Sequence, residues 1–534
     1  MSERMKKIAL VFILLIGGFF RFYHVNWDNF GAFHPDERNI SWAVTRIHFF
    51  REMDPKFFAY GGLPIYLYRA IGEGAVFFTK NPVWLYDWGH IAVVGRYVSA
   101  TLSTISIFLI FLVGSSYFSP SVGYLSAFLL AFSPWAIREA HFETTETMLV
   151  FFLLLLLYFA KKKKIVLLGI IWGLAMAAKT TALLFGVIPL LALGKKIHKT
   201  FFVGLIALVV FFSFSPYTIL NYKSFRESMT YETGVALGRF TVPYTLQFLH
   251  TTPYVYQLTT MLWQAGPLVI IGLAGLIAML IAIMPDLIRH PLDSRLRGND
   301  NYKIVFLIFP LIYFSWQGMW FAKFARYNVP FLPFLTIAAA WLSIKLGKPF
   351  AVIICIITAF WGIANFTIYL RPQTKVTATN WILKNISPSA MIYTEHWNDG
   401  LPLDVPNASS YHRELLNVYD DPDDDTKRTY LTDKLVAGDY IILSTRRIWG
   451  TMPRLTERYP VTSVFYTKLL RGDLGYKEVA TFTSYPQLFG IEINDDSAEE
   501  SVSVFDHPTV RIFQNTERLS KEEISNRLVS STGN

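Results

Sequence analysis

The stretch Phe33-His34-Pro35-Asp36-Glu37-Arg38 sets two acids side by side ahead of an amphipathic run, with Ile40, Trp42, Ala43 and Ile47 on one side. A carboxylate of this kind can take a proton from a hydroxyl. The same stretch also has the form of a plain helix start, with proline in the first turn and acids at the positive end of the helix dipole, which needs no chemistry. The company the acids keep separates the two readings. Arg96, Arg138, Lys179, Lys323 and Arg326 are candidate cations, and His141, Glu143 and Glu146 form a second polar group. Arg and Lys can hold a phosphate while a carboxylate activates a hydroxyl, and transfer from a phosphate-linked donor requires both. These residues can act together only if the fold brings them to one face.

Composition says what kind of fold that is. The 534 residues are 53% hydrophobic and 16% charged, against roughly 25% charged in an ordinary soluble domain. Lipid is therefore the solvent for much of the chain. The net charge of +10 sits in short basic knots between apolar runs, a pattern that reports membrane orientation and excludes nucleic acid as a partner. A single cysteine, Cys355, excludes an intramolecular disulfide, a thiolate metal cage and an intramolecular redox pair. The basic N-terminus, Met1 to Lys7, followed by apolar Ile8 to Phe20 without a small-residue cleavage site before Arg21, reads as an uncleaved first helix whose basic end is cytoplasmic.

Further apolar spans fall at 91–113, 118–135, 147–160, 165–178, 180–194, 201–216, 265–284, 304–321, 329–344 and 349–370. With the first helix this predicts an α-helical polytopic membrane protein of about eleven transmembrane helices, with its two termini on opposite sides. The stretch from Ile165 to Gly194 is too long for one crossing and too short for two full ones. Lys161 to Lys164 at one end and Lys195, Lys196 and Lys199 at the other favour two short helices, with both knots inside and a reversal near Lys179 and Thr180. Arg289, Arg295, Arg297, Lys303, Lys345 and Lys348 agree with that topology. Outside lie the loops 23–90 and 217–264 and everything after Arg371. The polar inside segment His290 to Asn301 reads as a tolerated insertion.

This divides the chain into a membrane domain, 1–370, and a soluble α/β domain, 371–534. Within the latter, Val376 to Asn385 is helix-like, and Met391 to Tyr393, Tyr440 to Ser444, Glu478 to Phe482 and Thr509 to Phe513 are strand-like. Asp420 to Asp425 lacks the glycine and ligand spacing of a calcium loop and reads as a solvated acidic turn. The topology gathers Asp36, Glu37, Arg138, His141, Glu143, Glu146, Lys179, Lys323 and Arg326 at the outer face, with Arg96 about 9 Å into the second helix. Arg138 and Arg326 could also simply snorkel to lipid headgroups, whereas the deeper Arg96 and Lys179 are costly to leave unpaired.

The segment FHPDERNISWAV, then Asp54-Pro55-Lys56-Phe57-Phe58-Ala59-Tyr60-Gly61-Gly62-Leu63-Pro64, then Val94-Gly95-Arg96-Tyr97-Val98-Ser99, resembles the first outer loop and second helix of GT-C glycosyltransferases. The resemblance is to the bacterial protein O-mannosyltransferase-like (family 39) enzymes, a group that includes kin of the aminoarabinose transferases. SPWAIREAHFETTETMLVFF, Ala178-Lys179-Thr180, Arg326-Tyr327 and Asp506-His507-Pro508 extend it over nearly the whole chain. The resemblance implies a bacterial inner-membrane enzyme that moves a sugar from a polyprenyl-phosphate donor to a hydroxyl acceptor, with inversion. By the same resemblance Asp36 is the general base and Glu37 its neighbour. Arg38, Arg96, Arg138, Lys179 and Arg326 would hold the donor phosphate, and Tyr60, His141, Glu143 and Glu146 would form the acceptor or second acidic site. The matching position in relatives is commonly Asp where this chain has Glu146. The MIR domain of eukaryotic protein mannosyltransferases is absent, and the acceptor stays open among protein, lipid and glycan. No cofactor is required, because a phosphate paired with Arg or Lys is already a fair leaving group. A divalent cation at Asp36, Glu37 and Glu146 is the alternative.

Other classes make different predictions. An oligosaccharyltransferase-like or ligase-like enzyme would move a whole glycan from a diphosphate lipid. A transporter would place binding groups near the midplane on broken helices and show internal repeats, and the sequence has neither. A receptor reading leaves Asp36 and the cations without a role.

Overall fold

The structure is a computed structural model that describes residues 2–194, 196–289, 300–405 and 408–529. The chain folds as two compact units, one comprising Met1–Phe240 and His250–Thr367, the other Thr241–Leu249 and Ile368–Asn534.

The first unit is helical. Among the described residues four helices are long and apolar enough to cross a membrane: Trp88–Tyr117, Ile197–Phe214, Ala325–Leu346 and Lys348–Asn385. Shorter apolar helices occupy Pro120–Ala131, Ile165–Ala178, Thr180–Leu193, Pro267–Ala282 and Ile304–Gly318. The first helix, Glu3–Phe22, runs past Arg21, which is fully buried. Its guanidinium donates to Ser103 Oγ and to the carbonyls of Gly17, Leu130 and Ala131. Leu130 and Ala131 end the helix Pro120–Ala131, so Arg21 donates to carbonyls of its last turn, where the regular intrahelical donors run out. The stretch after Ile165 breaks where the basic flanks require. The helix Ile165–Ala178 stops at Lys179, whose backbone is extended at φ −153° and ψ 128°, and a 3-10 turn Thr180–Gly186 leads into Val187–Leu193. The insertion read at His290 to Asn301, with Arg295 and Arg297, lies almost entirely outside the described residues, as does Lys195.

The second unit is an α/β domain. Its strands are β1 (Met391–Glu395), β2 (His412–Leu416), β3 (Tyr440–Leu443), β4 (Tyr476–Phe482), β5 (Gln487–Leu488), β6 (Ile491–Glu492) and β7 (Val510–Asn515). The main sheet has the order β2-β1-β3-β7-β4, with β1 parallel to β2 and β3 and β7 antiparallel to β3 and β4. Alternation sends Ile441 and Phe513 to one face, packed against Leu431, Leu435, Phe465 and Leu469. Ile442 and Ile512 go to the other, against Ala378 and Ile382. Both faces are covered, and a run such as Tyr440–Leu443 is apolar throughout for that reason. All four strand-like runs are strands; the short β2 carries no alternating pattern and was not legible. The acidic run is only partly solvated. Asp423 is buried and accepts from the backbone N–H groups of Val461 and Thr462, capping the helix Pro460–Arg471. The segment 217–264, expected as one loop, is instead the helix Tyr222–Ala236, a strip built into the second unit and the helix Val255–Ala265. Gln247 anchors the strip, donating to Glu499 and accepting from the backbone N–H of Glu500.

The motif residue His507 is buried between Asp506, 2.6 Å from Nδ1, and Asp495, 2.8 Å from Nε2. Burial pushes the imidazole down, but the two carboxylates outweigh it and raise its pKa to about 9. A raised histidine stabilises the fold fully below its unfolded value of 6.5 and loses that contribution as pH rises through about 9. The gap corresponds to roughly 3 kcal/mol. Thermal unfolding of wild type and His507→Gln should therefore differ most near pH 6 and converge above pH 9.5.

Candidate functional site

The acid pair starts the helix Pro35–Thr45, and its two members part company at once. The His34 side chain caps the helix, Nδ1 accepting from the Asp36 backbone N–H at 3.1 Å. Burial, with Arg326, Arg138 and Arg96 nearby, lowers the His34 pKa to about 3, so the ring is neutral and can accept.

Glu37 turns inward and is fully buried. Arg96 meets it there with Nε and Nη2, and meets Asp28 with Nη1 and Nη2, at 2.6–2.8 Å. Its remaining N–H reaches the Val25 carbonyl at 3.3 Å, so all five guanidinium donors are spent. The backbone N–H of Glu143 adds a further bond to Glu37 at 2.8 Å. This geometry does not fit the expectation that Arg96 binds donor phosphate and that Glu37 takes part in chemistry. The pair clamps the Asp36 helix to the helix Trp88–Tyr117. Asp28, the second anion of the clamp, lies outside every motif considered in the sequence.

Glu143 is equally buried. Burial, with Glu37 nearby, holds its carboxyl well above the usual range, and it accepts from Ser41 Oγ at 2.9 Å. Gly95 makes room for it, since a Cβ there would lie 2.1 Å from Glu143 Cγ. His141 also has a structural place, its two ring nitrogens facing the carbonyls of Ile137 and Tyr23 at 2.8 and 3.0 Å. Arg38 turns back to the Ala32 carbonyl at 2.6 Å. An acceptor role for His141 and Glu143, and a phosphate role for Arg38, have no support in these contacts.

Asp36 turns the other way. Its side chain keeps 17% exposure, and Oδ2 lies 3.1 Å from Arg326 Nη1 without an aligned hydrogen bond. Burial alone would raise its pKa, but Arg326, the Tyr60 hydroxyl and Lys179 together hold it below the ordinary aspartate value. Tyr60 is buried, and its phenol is held well above its usual value by burial and by Asp36, so it is a donor to the carboxylate. Lys179 lies 2.7 Å from Glu146 Oε1, with its ammonium over the rings of Tyr60 and Tyr327 at 5.2 and 5.5 Å. Gly61 permits this approach: its N–H donates to the Ala178 carbonyl, and a Cβ would lie 1.9 Å from the carbonyl oxygen of Ala177. Arg138 is nine-tenths buried, stacks on Phe142 at 5.1 Å and acts electrostatically on His34. The fold thus brings Asp36, Tyr60, Glu146, Lys179 and Arg326 together, with Arg138 within electrostatic range.

Residues 88–220 match the family model for dolichyl-phosphate-mannose-protein mannosyltransferases. A comparison with curated protein sequences gives no match. Among solved structures, the oligosaccharyltransferase AglB from Archaeoglobus fulgidus, in complex with an inhibitory peptide and a dolichol-phosphate, is similar over 92% of this chain and 75% of its own, at 12% identity and a TM-score of 0.50. The fold is that of the GT-C glycosyltransferases. ArnT from Cupriavidus metallidurans, bound to undecaprenyl phosphate, aligns over 96% of this chain and 98% of its own, at 12% identity and a TM-score of 0.44.

Two further acids of this chain carry no motif in the sequence. Glu139 is buried beside the site. Burial pushes its pKa up to about 8, opposed by Arg138, Arg326 and Lys179. It helps line a small pocket with Ser103, Ser106 and Thr147. Glu232, on the helix Tyr222–Ala236, acts electrostatically on the same groups as Asp36. The run Arg138-Glu139 offered a signal for the first; an isolated Glu on a polar helix offered none for the second. Among the described residues no group of three His, Cys, Asp or Glu is spaced to hold a metal ion. The three acids considered for a divalent cation each face a cation already: Asp36 faces Arg326, Glu37 faces Arg96 and Glu146 faces Lys179.

Proposed function

We propose that this chain transfers a sugar from a polyprenyl-phosphate donor to a hydroxyl acceptor at the outer face of a bacterial inner membrane, with Asp36 as general base. The observation that carries the reading is the partly exposed carboxylate of Asp36, 3.1 Å from Arg326 and beside Tyr60 and Lys179. An eleven-helix topology with a cytoplasmic N-terminus puts this cluster on the outer side, in line with the basic knots. The dolichol-phosphate in the AglB complex, an isoprenoid lipid phosphate, supports this donor class.

In the resting site Arg326 holds Asp36 in its ionised form, which makes it a weak base. A donor phosphate competes for Arg326, with Lys179 and Arg138 as further cations. Loss of Arg326 as a partner raises the Asp36 pKa toward a value useful for proton abstraction. The acceptor hydroxyl gives its proton to Asp36, its oxygen attacks the anomeric carbon, and the bond from that carbon to the phosphate oxygen breaks. The phosphate leaves with the bonding electron pair and is stabilised by Arg326 and Lys179. One displacement gives inversion.

The test is transfer of labelled sugar in proteoliposomes from a panel of polyprenyl-phosphate sugars and diphosphate-linked oligosaccharides, with the lipid product identified by mass. The reading predicts polyprenyl monophosphate and one added sugar. A diphosphate lipid and a multi-sugar product would instead identify a glycan ligase. Because Asp36, Glu37 and Glu146 each face a cation, EDTA at millimolar concentration should leave the transfer rate unchanged within twofold; a loss restored by Mg²⁺ or Mn²⁺ would overturn the metal-free mechanism.

A further inference from the structure

The strands β5 and β6 form a hairpin outside the main sheet, pairing Gln487 with Glu492 and Leu488 with Ile491. Its two central residues are Phe489 at φ +52° and Gly490 at φ +78°, the left-handed pair of a tight hairpin turn. Glycine and asparagine take the first of these positions without strain, whereas a phenylalanine there is costly. The side chain gains nothing from the fold in return: Phe489 is 89% exposed and Ile491 56% exposed in the whole chain. A strained backbone that presents an aromatic ring to solvent suggests a partner for the ring.

The base of the hairpin identifies that partner. Arg371 donates from Nη2 to the carbonyl of Tyr485, two residues before β5, and lies within electrostatic range of Glu492 in β6. Arg371 is also the point at which the chain leaves the apolar helix Lys348–Phe366 through the short turn Thr367–Leu370, whose last residue is itself 52% exposed. The residue that ties down the base of the hairpin therefore follows, by five positions along the chain, the last residue of a helix that is part of a span long and apolar enough to cross a membrane. Aromatic and apolar side chains beside an arginine match a lipid–water interface, where rings sit at headgroup depth and a guanidinium meets phosphate.

We propose that the tip Leu488–Ile491 is a membrane anchor that inserts into the lipid leaflet. It fixes the second unit on the lipid surface, with Arg371 facing headgroup phosphates. This inference rests on the membrane helices and not on the sugar-transfer reading.

The experiment uses the full chain with Cys355→Ser and either Phe489→Cys or, as a control, Lys477→Cys, each labelled with an NBD fluorophore. Both labelled positions are exposed, so the label displaces no core. The chains are reconstituted in phosphatidylethanolamine–phosphatidylglycerol vesicles with and without lipids carrying a doxyl group at carbon 5. The label at position 489 is expected to be quenched by doxyl lipid at least twofold more than the label at 477, and to resist aqueous iodide, which quenches the control. Equal iodide quenching at both positions would overturn the anchor. So would protection of position 489 from both quenchers, since a second copy or another protein would then cover the tip.

Discussion

Replacing Asp36 by Asn is expected to lower kcat for sugar transfer by about 10²–10⁴-fold, the usual contribution of a positioned general base. The fold should be unaffected. His34 caps the helix through the backbone N–H of Asp36, and Asn keeps the size and a hydrogen-bonding oxygen at the end of the side chain. The loss should appear in kcat, because the donor phosphate still finds Arg326 and Lys179. Arg326→Gln should behave differently. It frees Asp36 from its cation, which raises the carboxyl pKa, but removes a group that binds the phosphate and stabilises its departure. KM for the donor should rise and kcat fall together, with the acid limb of the pH–rate profile moved to higher pH.

The second large effect concerns stability. Arg96→Leu leaves Asp28 and Glu37 buried without their cation, and breaking such a cluster from one side costs about 3–5 kcal/mol. That is a large fraction of a typical folding free energy, so detergent-solubilised Arg96→Leu should be recovered largely aggregated. Arg96→Lys should rescue it poorly. One ammonium has three donors and cannot reach both carboxylates in the bidentate manner of the guanidinium. If size-exclusion chromatography showed Arg96→Leu monodisperse with a wild-type thermal midpoint, the clamp would have no structural weight.

Asp36 and Arg96 show how much of the site could be read from sequence. The acid pair was legible because adjacent acids after a proline mark a helix start, and the cations because charge in an apolar run is conspicuous. The division of labour was not legible. In a helix neighbouring residues point about 100° apart, so one of two adjacent acids must face the protein when the other faces a cleft. Which does so depends on Arg96 arriving from a helix some sixty residues away, together with Asp28, whose own sequence context carries no signal. The partners of His141 and Glu143 were illegible for a related reason: polar residues between apolar helices look functional in sequence, and here they meet backbone carbonyls, a serine and the Glu37–Arg96 pair.

The fold divides in the same way. The break at Lys179 and Thr180 followed from charge and length, since about thirty apolar residues between two basic knots fit neither one crossing nor two long ones. The four main strand runs were visible because strands covered on both faces are apolar throughout. The transfer of Thr241–Leu249 to the second unit was not visible, because it depends on Gln247 meeting Glu499 and Glu500, some two hundred and fifty residues away.

The most direct measurement is transfer of radiolabelled sugar from polyprenyl-phosphate sugars in membranes containing equal amounts of folded wild type or Asp36→Asn, with lipids, glycans and proteins separated afterwards. Label carried to one acceptor class by wild type, and reduced at least a hundredfold by Asp36→Asn, is the result predicted here. Equal transfer by both proteins would contradict the role given to Asp36, and the absence of transfer from every monophosphate donor would contradict the donor class itself.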